Sequence, residues 1–391
     1  MKEINPTQEI NIALIGCKFM GKAHANAWKN VPHFFDLNVR PVLKVVCDTN
    51  EDVLHEFAER WGWEETETDW RKIVARDDVH VVDIATPPSV HRDIAVAAAE
   101  SGKHVFCEKP IALSTAEARE MHEAAEKHGV VNYLNHEYRR CPAIALAKQL
   151  IDEGKIGRIF HWRGAYLQSW LVDPDFPLTW HLQKEKAGSG VQAGLNSHSV
   201  DLARFLVGEI KSVVAMKTTF VKERPIASEA AGTFNAAVST GAEKGKVTVE
   251  DAISMIVEFE NGALGSFETT NFATGRKNYN YFEIYGDKGS LLFDLERMNE
   301  LQFFSAEDPE HAQGFRTILA TEPCHKYMAA WWPPGHSIGF EHEFHHGVVD
   351  FLDAIDKGTQ VTPNFHDGVK GMEVLEAGLE AAENGVKVML K

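Results

Sequence analysis

Between residues 11 and 135 one pattern repeats: a short apolar run followed by an amphipathic stretch of helical period. NIALIG (11–16), PVLKVVCD (41–48), VHVVDIAT (79–86), KHVFCEKP (103–110) and VVNYLN (130–135) are too short and too β-branched for buried helices and read as strands. The stretches between them, such as EDVLHEFAERWG (51–62) and STAEAREMHEAAEKHG (114–129), have helical spacing. Strands alternating with helices demand right-handed crossovers and a parallel sheet covered on both faces. Ser114 and Glu117 form a capping-box pattern, and Gly129 supplies the stop.

The rhythm changes near Tyr138. After a helix at about 142–152 come longer alternating strands, at 159–168, 212–221, 251–259, 263–272 and 280–294, with ENGA (260–263) and GDKG (286–289) as turns. The tail from about Phe340 is helical. The expected fold class is α/β: a Rossmann doubly wound parallel sheet over residues 1–137, then an α+β domain over 138–391 with a large, mostly antiparallel open-faced sheet for substrate binding and oligomerisation.

The 40 basic and 57 acidic residues give a net charge of −17, which repels phosphate backbones and argues against a nucleic-acid partner. The five cysteines are widely spaced with no CxxC pair, which fits buried thiols in a reducing compartment. No apolar signal core and no run of about 18 apolar residues occurs, so a cytoplasmic protein without a membrane partner is expected.

The first strand and helix carry GCKFMG (16–21), a dinucleotide-type turn with Lys18 at the place of the middle glycine. Gly16 makes the turn, and Lys18 and Phe19 lead into a helix from about Met20, whose N-terminus would face pyrophosphate. Lys18 either adds a phosphate contact at a modest strain cost or hinders the approach. Asp48 ends the second strand, where it either accepts the ribose hydroxyls, favouring NAD over NADP, or caps the turn before Thr49 and Asn50.

DIATPPSVH (83–91), GKHVFCEKPIA (102–112), YRRCPA (138–143), GKIGRI (154–159), LTWH (178–181), GSGVQAGLNSHSVDLARFLVG (188–208) and YGDKGSL (285–291) together resemble the glucose–fructose oxidoreductase/inositol dehydrogenase/rhizopine-catabolism (Gfo/Idh/MocA) family over nearly the whole chain. IGRIFHWRGAYLQSW (156–170) and YMAAWWPPGH (327–336) are most similar to its levoglucosan dehydrogenases and related sugar or glycoside 3-dehydrogenases. The resemblance implies a homo-oligomeric NAD enzyme in which Thr86, Pro87, Pro88, His91, Glu108, Lys109, Tyr138, Trp180 and His181 line the cofactor. It further implies that Lys109 hydrogen-bonds the reacting hydroxyl and His198 serves as general base. His181 stands where the family often has Arg, Glu137 where Asn is commoner, and Gly194 where an Asp usually precedes the His by four residues. Gly194 means a rearranged base system, a pocket widened for a bulky glycoside, or a damaged site; Asn196 and Asp201 remain near His198, and Asp201 either stabilises imidazolium or is structural.

Arg163, Tyr166, Gln168 and Trp170 offer aromatic faces and polar donors of the kind sugar rings need, with Gly194, Asn196 and His198 beside them; the same residues could instead pack the sheet or an interface. Trp331, Trp332 and His336 could close the pocket as a loop. HEFHH (342–346) matches the H-E-x-x-H zinc motif, yet no metal is expected in a chain with 19 histidines, where Glu341 and His345 suggest a solvated helix face. The expected reaction is NAD-dependent oxidation of a secondary hydroxyl of a sugar or glycoside, at carbon 3 as the subgroup resemblance implies. An enzyme that keeps NAD bound and recycles it with a second sugar, and a non-catalytic dinucleotide-binding redox sensor, are the alternatives.

Overall fold

A computed structural model describes residues 8–226 and 243–390. The contacts divide into two compact units, Met1–Arg140 with Ile338–Lys370, and Cys141–Ser337 with Gly371–Lys391. In the first unit the chain runs β1 (Gln8–Ile15), α1 (Phe19–Phe34), β2 (Val39–Cys47), α2 (Glu51–Trp61), β3 (Glu65–Glu67), α3 (Trp70–Val74), β4 (Val81–Ile84), α4 (His91–Glu100), β5 (His104–Glu108), α5 (Thr115–His128) and β6 (Asn132–Asn135). The six strands are all parallel in the order β3-β2-β1-β4-β5-β6, so the chain reverses direction across the sheet between β1 and β4. This is the doubly wound arrangement that the alternating runs require.

Local chemistry sets the helix ends. The Ser114 hydroxyl accepts from the Glu117 amide at 3.2 Å, and the Glu117 carboxylate accepts from the Leu113 amide at 2.9 Å, one residue earlier than a standard capping box. Gly129, at φ +63°, closes α5 in the left-handed conformation. Ser114→Ala should lower the unfolding free energy by about 1 kcal/mol, read as a fall in the urea midpoint at unchanged slope.

The second unit contains α6 (Pro142–Asp152), β7 (Ile159–Leu167), α7 (Lys184–Ala187), α8 (Ser197–Leu206), β8 (Ile210–Thr218), a small β9 (Glu223–Pro225) and β10 (Lys244–Lys246) pair, β11 (Ala252–Phe259), β12 (Leu264–Thr270), β13 (Tyr279–Gly286), β14 (Gly289–Asp294), β15 (Glu300–Ser305) and β16 (Arg316–Leu319). Its large sheet has the order β16-β15-β14-β13-β7-β12-β11-β8-β17, with β17 at Val388–Met389. Every neighbouring pair is antiparallel except β7 with β12. One face is packed by Trp162, Phe267, Phe282 and Phe293, with Trp162 stacked on Phe282 at 5.1 Å. The opposite face exposes Val214, Met216, Ile256 and Leu264.

The expected boundary ran the second domain unbroken from 138 to 391. The structure instead returns Ile338–Lys370 to the first unit. There α9 (Phe340–Lys357) buries Phe344, Val348, Phe351 and Leu352 in one core with Trp28, Phe106 and Tyr133. The Phe106 ring stacks on Tyr133 at 4.7 Å and meets Phe351 edge-on at 5.5 Å. The following helix, α10 (Phe365–Asn384), is divided between the units at Lys370.

Candidate active site

The turn after β1 is built by contacts that only glycine permits. Gly16 has φ +109°, and a Cβ there would lie 2.5 Å from the Ala85 carbonyl oxygen and 3.2 Å from the Thr86 nitrogen. Gly21 lets α1 rest on the turn, since its Cβ would fall 2.0 Å from the Gly16 oxygen. Lys18 takes φ −84° and ψ −151°, ordinary extended backbone, so a side chain at this position carries no left-handed strain. It is the N-cap of α1 without a capping side-chain bond, and no acidic residue occupies the first turn. Lys18 and Phe19 are exposed and Met20 half-buried at this positive helix end.

Asp48 follows β2 directly. One carboxylate oxygen accepts from the Cys17 amide at 2.9 Å and the other from the Asn50 amide at 3.1 Å, so it both orders the phosphate turn and caps its own loop. Each oxygen keeps a second lone pair for a ribose hydroxyl. The two sequence readings of Asp48 are therefore compatible. After β4, the Thr86 hydroxyl is buried with no hydrogen-bond partner among the described residues, Pro87 is exposed and Pro88 buried. The glycine cradle, the uncapped helix end and this orphaned hydroxyl fit a dinucleotide along the strand ends.

His91 takes a different place from the one expected. It is fully buried, with Nε2 2.9 Å from the Thr86 carbonyl and Nδ1 3.1 Å from the Pro110 carbonyl. It therefore braces the two loops from beneath instead of lining a cofactor surface.

Glu108 ends β5 and Lys109 follows it. Glu108 is buried in a network that the sequence reading missed: His24 of α1 places Nε2 2.9 Å from Glu108 and Nδ1 2.8 Å from Asp83 of β4. Trp28 adds a 2.6 Å bond to Asp83, and Asn135 of β6 a 2.7 Å bond to Glu108. Burial opposes charge on His24, but the flanking carboxylates outweigh it and hold the imidazole pKa up to about 10. Burial likewise opposes charge on Glu108, and the bonds from His24 win, lowering its pKa.

Tyr138 and Glu137 are buried on the short turn after β6. Burial, reinforced by the Glu108 charge, raises the Glu137 pKa from 4.5 to about 8. The folded chain thus holds a proton that the unfolded chain releases. The associated stability is full below about pH 4.5 and is lost as pH rises through about 8. Glu137→Gln should flatten the decline in unfolding free energy over that range, measured by urea titration at several pH values.

In the second unit, the segment before α8 is a π-helical turn, Gln192–Asn196, a distortion that often re-aims neighbouring side chains. It leads into His198, which is buried with its ring 5.9 Å from that of Tyr166. A Cβ on Gly194 would meet no atom of the described residues within 4 Å outside its own stretch of backbone. Asp201 is buried one turn further along α8. Asn196 is fully buried: its amide donates to Gln192 at 2.8 Å and accepts from Thr269 at 3.1 Å, so it braces the π-turn and is not presented to a ligand.

The Tyr166 hydroxyl and the Gln168 amide both donate to the Asn278 side chain, at 2.8 and 2.7 Å. Trp170 donates to Asn271 at 2.9 Å and packs near His181, which stacks on Trp180 with ring centroids 3.6 Å apart. Arg163 parts from this group. It lies three residues before Tyr166 on β7 and so projects from the opposite face, where it meets Glu283 at 3.4 Å. Gln168 and Trp170 lie five and seven residues beyond Arg163, odd spacings that would put them on the opposite strand face from it even if β7 did not end at Leu167.

The HEFHH segment lies on α9. Glu343, His345 and His346 are buried, contrary to the solvated face expected, because α9 packs into the first unit's core. His346 bonds the Arg140 carbonyl at 2.9 Å and His345 the Glu341 carbonyl at 2.7 Å. Among the described residues, no group of three or more His, Cys, Asp or Glu side chains is placed to hold a metal ion.

Residues 10–136 match the family model described as "Oxidoreductase family, NAD-binding Rossmann fold", and residues 144–292 match the Gfo/Idh/MocA C-terminal domain. The chain is 44% identical to levoglucosan dehydrogenase of Pseudarthrobacter phenanthrenivorans over 377 residues, 96% of either chain. A solved levoglucosan dehydrogenase in complex with NADH and levoglucosan is similar with a TM-score of 0.92 and 42% identity, over 98% of this chain and all of that one. An oxidoreductase domain protein from Kribbella flavida gives 0.93 and 46%, with the same coverage.

Proposed function

Because this chain belongs to the Gfo/Idh/MocA family of oxidoreductases, we propose that it is an NAD-dependent dehydrogenase oxidising a secondary hydroxyl, at carbon 3, of a sugar or glycoside. The observation that carries this reading is the 44% identity to a levoglucosan dehydrogenase along 96% of both chains. Bound NAD would supply the hydride acceptor. Gly16, Lys18, Asp48 and Thr86 would hold it, with amides at the α1 N-terminus facing its phosphates.

Lys109 Nζ donates a hydrogen bond to the reacting hydroxyl and lowers its effective pKa, and the His198 imidazole takes the proton. Tyr166, Gln168 and Trp170 hold the ring through stacking and hydrogen bonds. The open space at Gly194 supports a second substrate reading within the same chemistry: a glucoside carrying an O- or C-linked aglycone.

The test is NAD reduction against levoglucosan, free sugars and aryl glucosides, with product analysis to locate the new carbonyl. Oxidation at carbon 3 with any of them supports the proposal. Turnover only when two sugars are supplied together, with cofactor that does not exchange, would replace it by the recycling reaction. Dinucleotide binding without turnover under either regime would replace it by the sensor.

The exposed band of Val214, Met216, Ile256 and Leu264 on the second unit's sheet fits a second copy of this chain as its cover, and we assign the protein to a homo-oligomer. Light scattering should give a multiple of the single-chain mass, and Ile256→Lys should reduce it. None of the five cysteines is in a disulfide, as a reducing compartment requires, and we assign the protein to the cytoplasm; no described helix is long and apolar enough to cross a membrane.

A further inference from the structure

We infer that His24 is a positioning residue for Lys109: clamped as an imidazolium between Asp83 and Glu108, it fixes the Glu108 carboxylate against the Lys109 backbone. The inference rests on the proposed role of Lys109, and its geometry lies wholly within the first unit.

Both ring nitrogens of His24 face acceptors that cannot donate when ionised. Nδ1 lies 2.8 and 3.0 Å from the two Asp83 oxygens, and Nε2 lies 2.9 Å from Glu108. Satisfying both sides requires a proton on each nitrogen. The Phe106 ring, edge-on at 5.3 Å, and the Phe344 ring at 5.6 Å hold the imidazole in place, and His24 is 1% exposed.

Glu108 has no freedom left. Its Oε1 accepts from His24 and Asn135, and its Oε2 accepts from the Lys109 amide at 3.1 Å. Pro110 follows and has no N–H, so the Lys109–Pro110 pair has a single backbone donor, and Glu108 takes it. The direction in which the Lys109 side chain leaves β5 is thus set by a carboxylate whose own rotamer His24 sets. A neutral residue at position 24 would leave Asp83 and Glu108 as two buried carboxylates without a cation between them. One would take up a proton, and the bond to the Lys109 amide would weaken or turn.

Two measurements test this. In the wild-type protein labelled with 15N-histidine, both His24 ring nitrogens should show protonated shifts at pH 7; a neutral tautomer there overturns the clamp, and this readout needs no variant to fold. Kinetically, His24→Gln should lower kcat by about 10–100-fold while leaving the sugar KM and dinucleotide Kd within about 3-fold. The double variant His24→Gln/Glu108→Gln should be no slower than Glu108→Gln alone, because one effect acts through the other. Unchanged kcat, or losses that multiply in the double variant, would sink the inference. Lys109→Ala serves as the control for the underlying reading. If it turns over like wild type, the assignment of Lys109 fails whatever His24 does; if it is inactive while His24→Gln is fully active, only the clamp fails.

Discussion

Lys109→Ala and His198→Ala should each lower kcat for sugar oxidation by about 10²–10⁴-fold, the usual contribution of a positioned proton-transfer group. A secondary alcohol is a very weak acid at neutral pH, so hydride departure has to be coupled to removal of the hydroxyl proton. Losing either the hydrogen-bond donor or the base raises the barrier of that coupled step without touching the sugar's other contacts. The effect therefore belongs in kcat, with KM changed far less. His198 lies on α8, outside every segment assigned to dinucleotide phosphate or ribose, so the NAD Kd of His198→Ala should stay within about 2-fold of wild type. Because His198 is buried, His198→Gln separates lost packing from lost chemistry: it retains most of the volume and should remain as slow as the alanine variant. A kcat within about 3-fold of wild type in both His198 variants would remove His198 from the mechanism.

Gly16→Val should be the most damaging single change in the phosphate turn. A β-branched residue at φ +109° is held where L side chains rarely go, at a cost of about 1–3 kcal/mol. Its Cβ would also press on the Ala85 carbonyl, 2.5 Å away, which is backbone at the end of β4 and cannot rotate aside. Overpacking of this kind adds about 1–3 kcal/mol. The relief available is to push the 85–86 segment outward, and that segment carries the Thr86 hydroxyl. Dinucleotide affinity should therefore fall by about tenfold or more together with the denaturation midpoint. Lys18→Gly is the informative contrast. Lys18 has negative φ and an exposed side chain, so its removal should leave stability within about 1 kcal/mol of wild type. A Gly16→Val protein with wild-type affinity would show that the turn does not approach the cofactor.

The departure of Lys18 from the dinucleotide pattern implied a modest strain cost or a hindered approach to pyrophosphate. The structure shows an N-cap in extended backbone, where any residue fits. The converse holds for Asn196 and His91. Their positions in the chain suggested surfaces facing a ligand, but the bonds that occupy them come from Thr269 and Gln192, and from the Thr86 and Pro110 carbonyls. Residue type and spacing identify a group capable of recognition; they do not say whether the protein has already satisfied it. The His24–Asp83–Glu108 network shows the same limit most sharply. Its members are 59 and 84 residues apart, and the signal present in the chain was three polar residues inside otherwise apolar β-α-β segments.

What the amino-acid sequence determined by itself is the local and periodic part: the parallel sheet from its alternating runs, the α5 cap at Ser114 and stop at Gly129, α6 at 142–152, and the β7, β8 and β11–β14 strands of the second sheet with their turns, though not β15, β16 or β17. Each follows from interactions spanning a few residues, whose geometry the backbone dictates. Tertiary structure alone decided that α9 completes the core around Trp28 and Phe106, and that a histidine on α1 reaches the residue before Lys109. Periodicity states which face of an element must be buried. It does not state against what, because apolar burial is non-directional and any matching face will serve until the whole chain has chosen its partners.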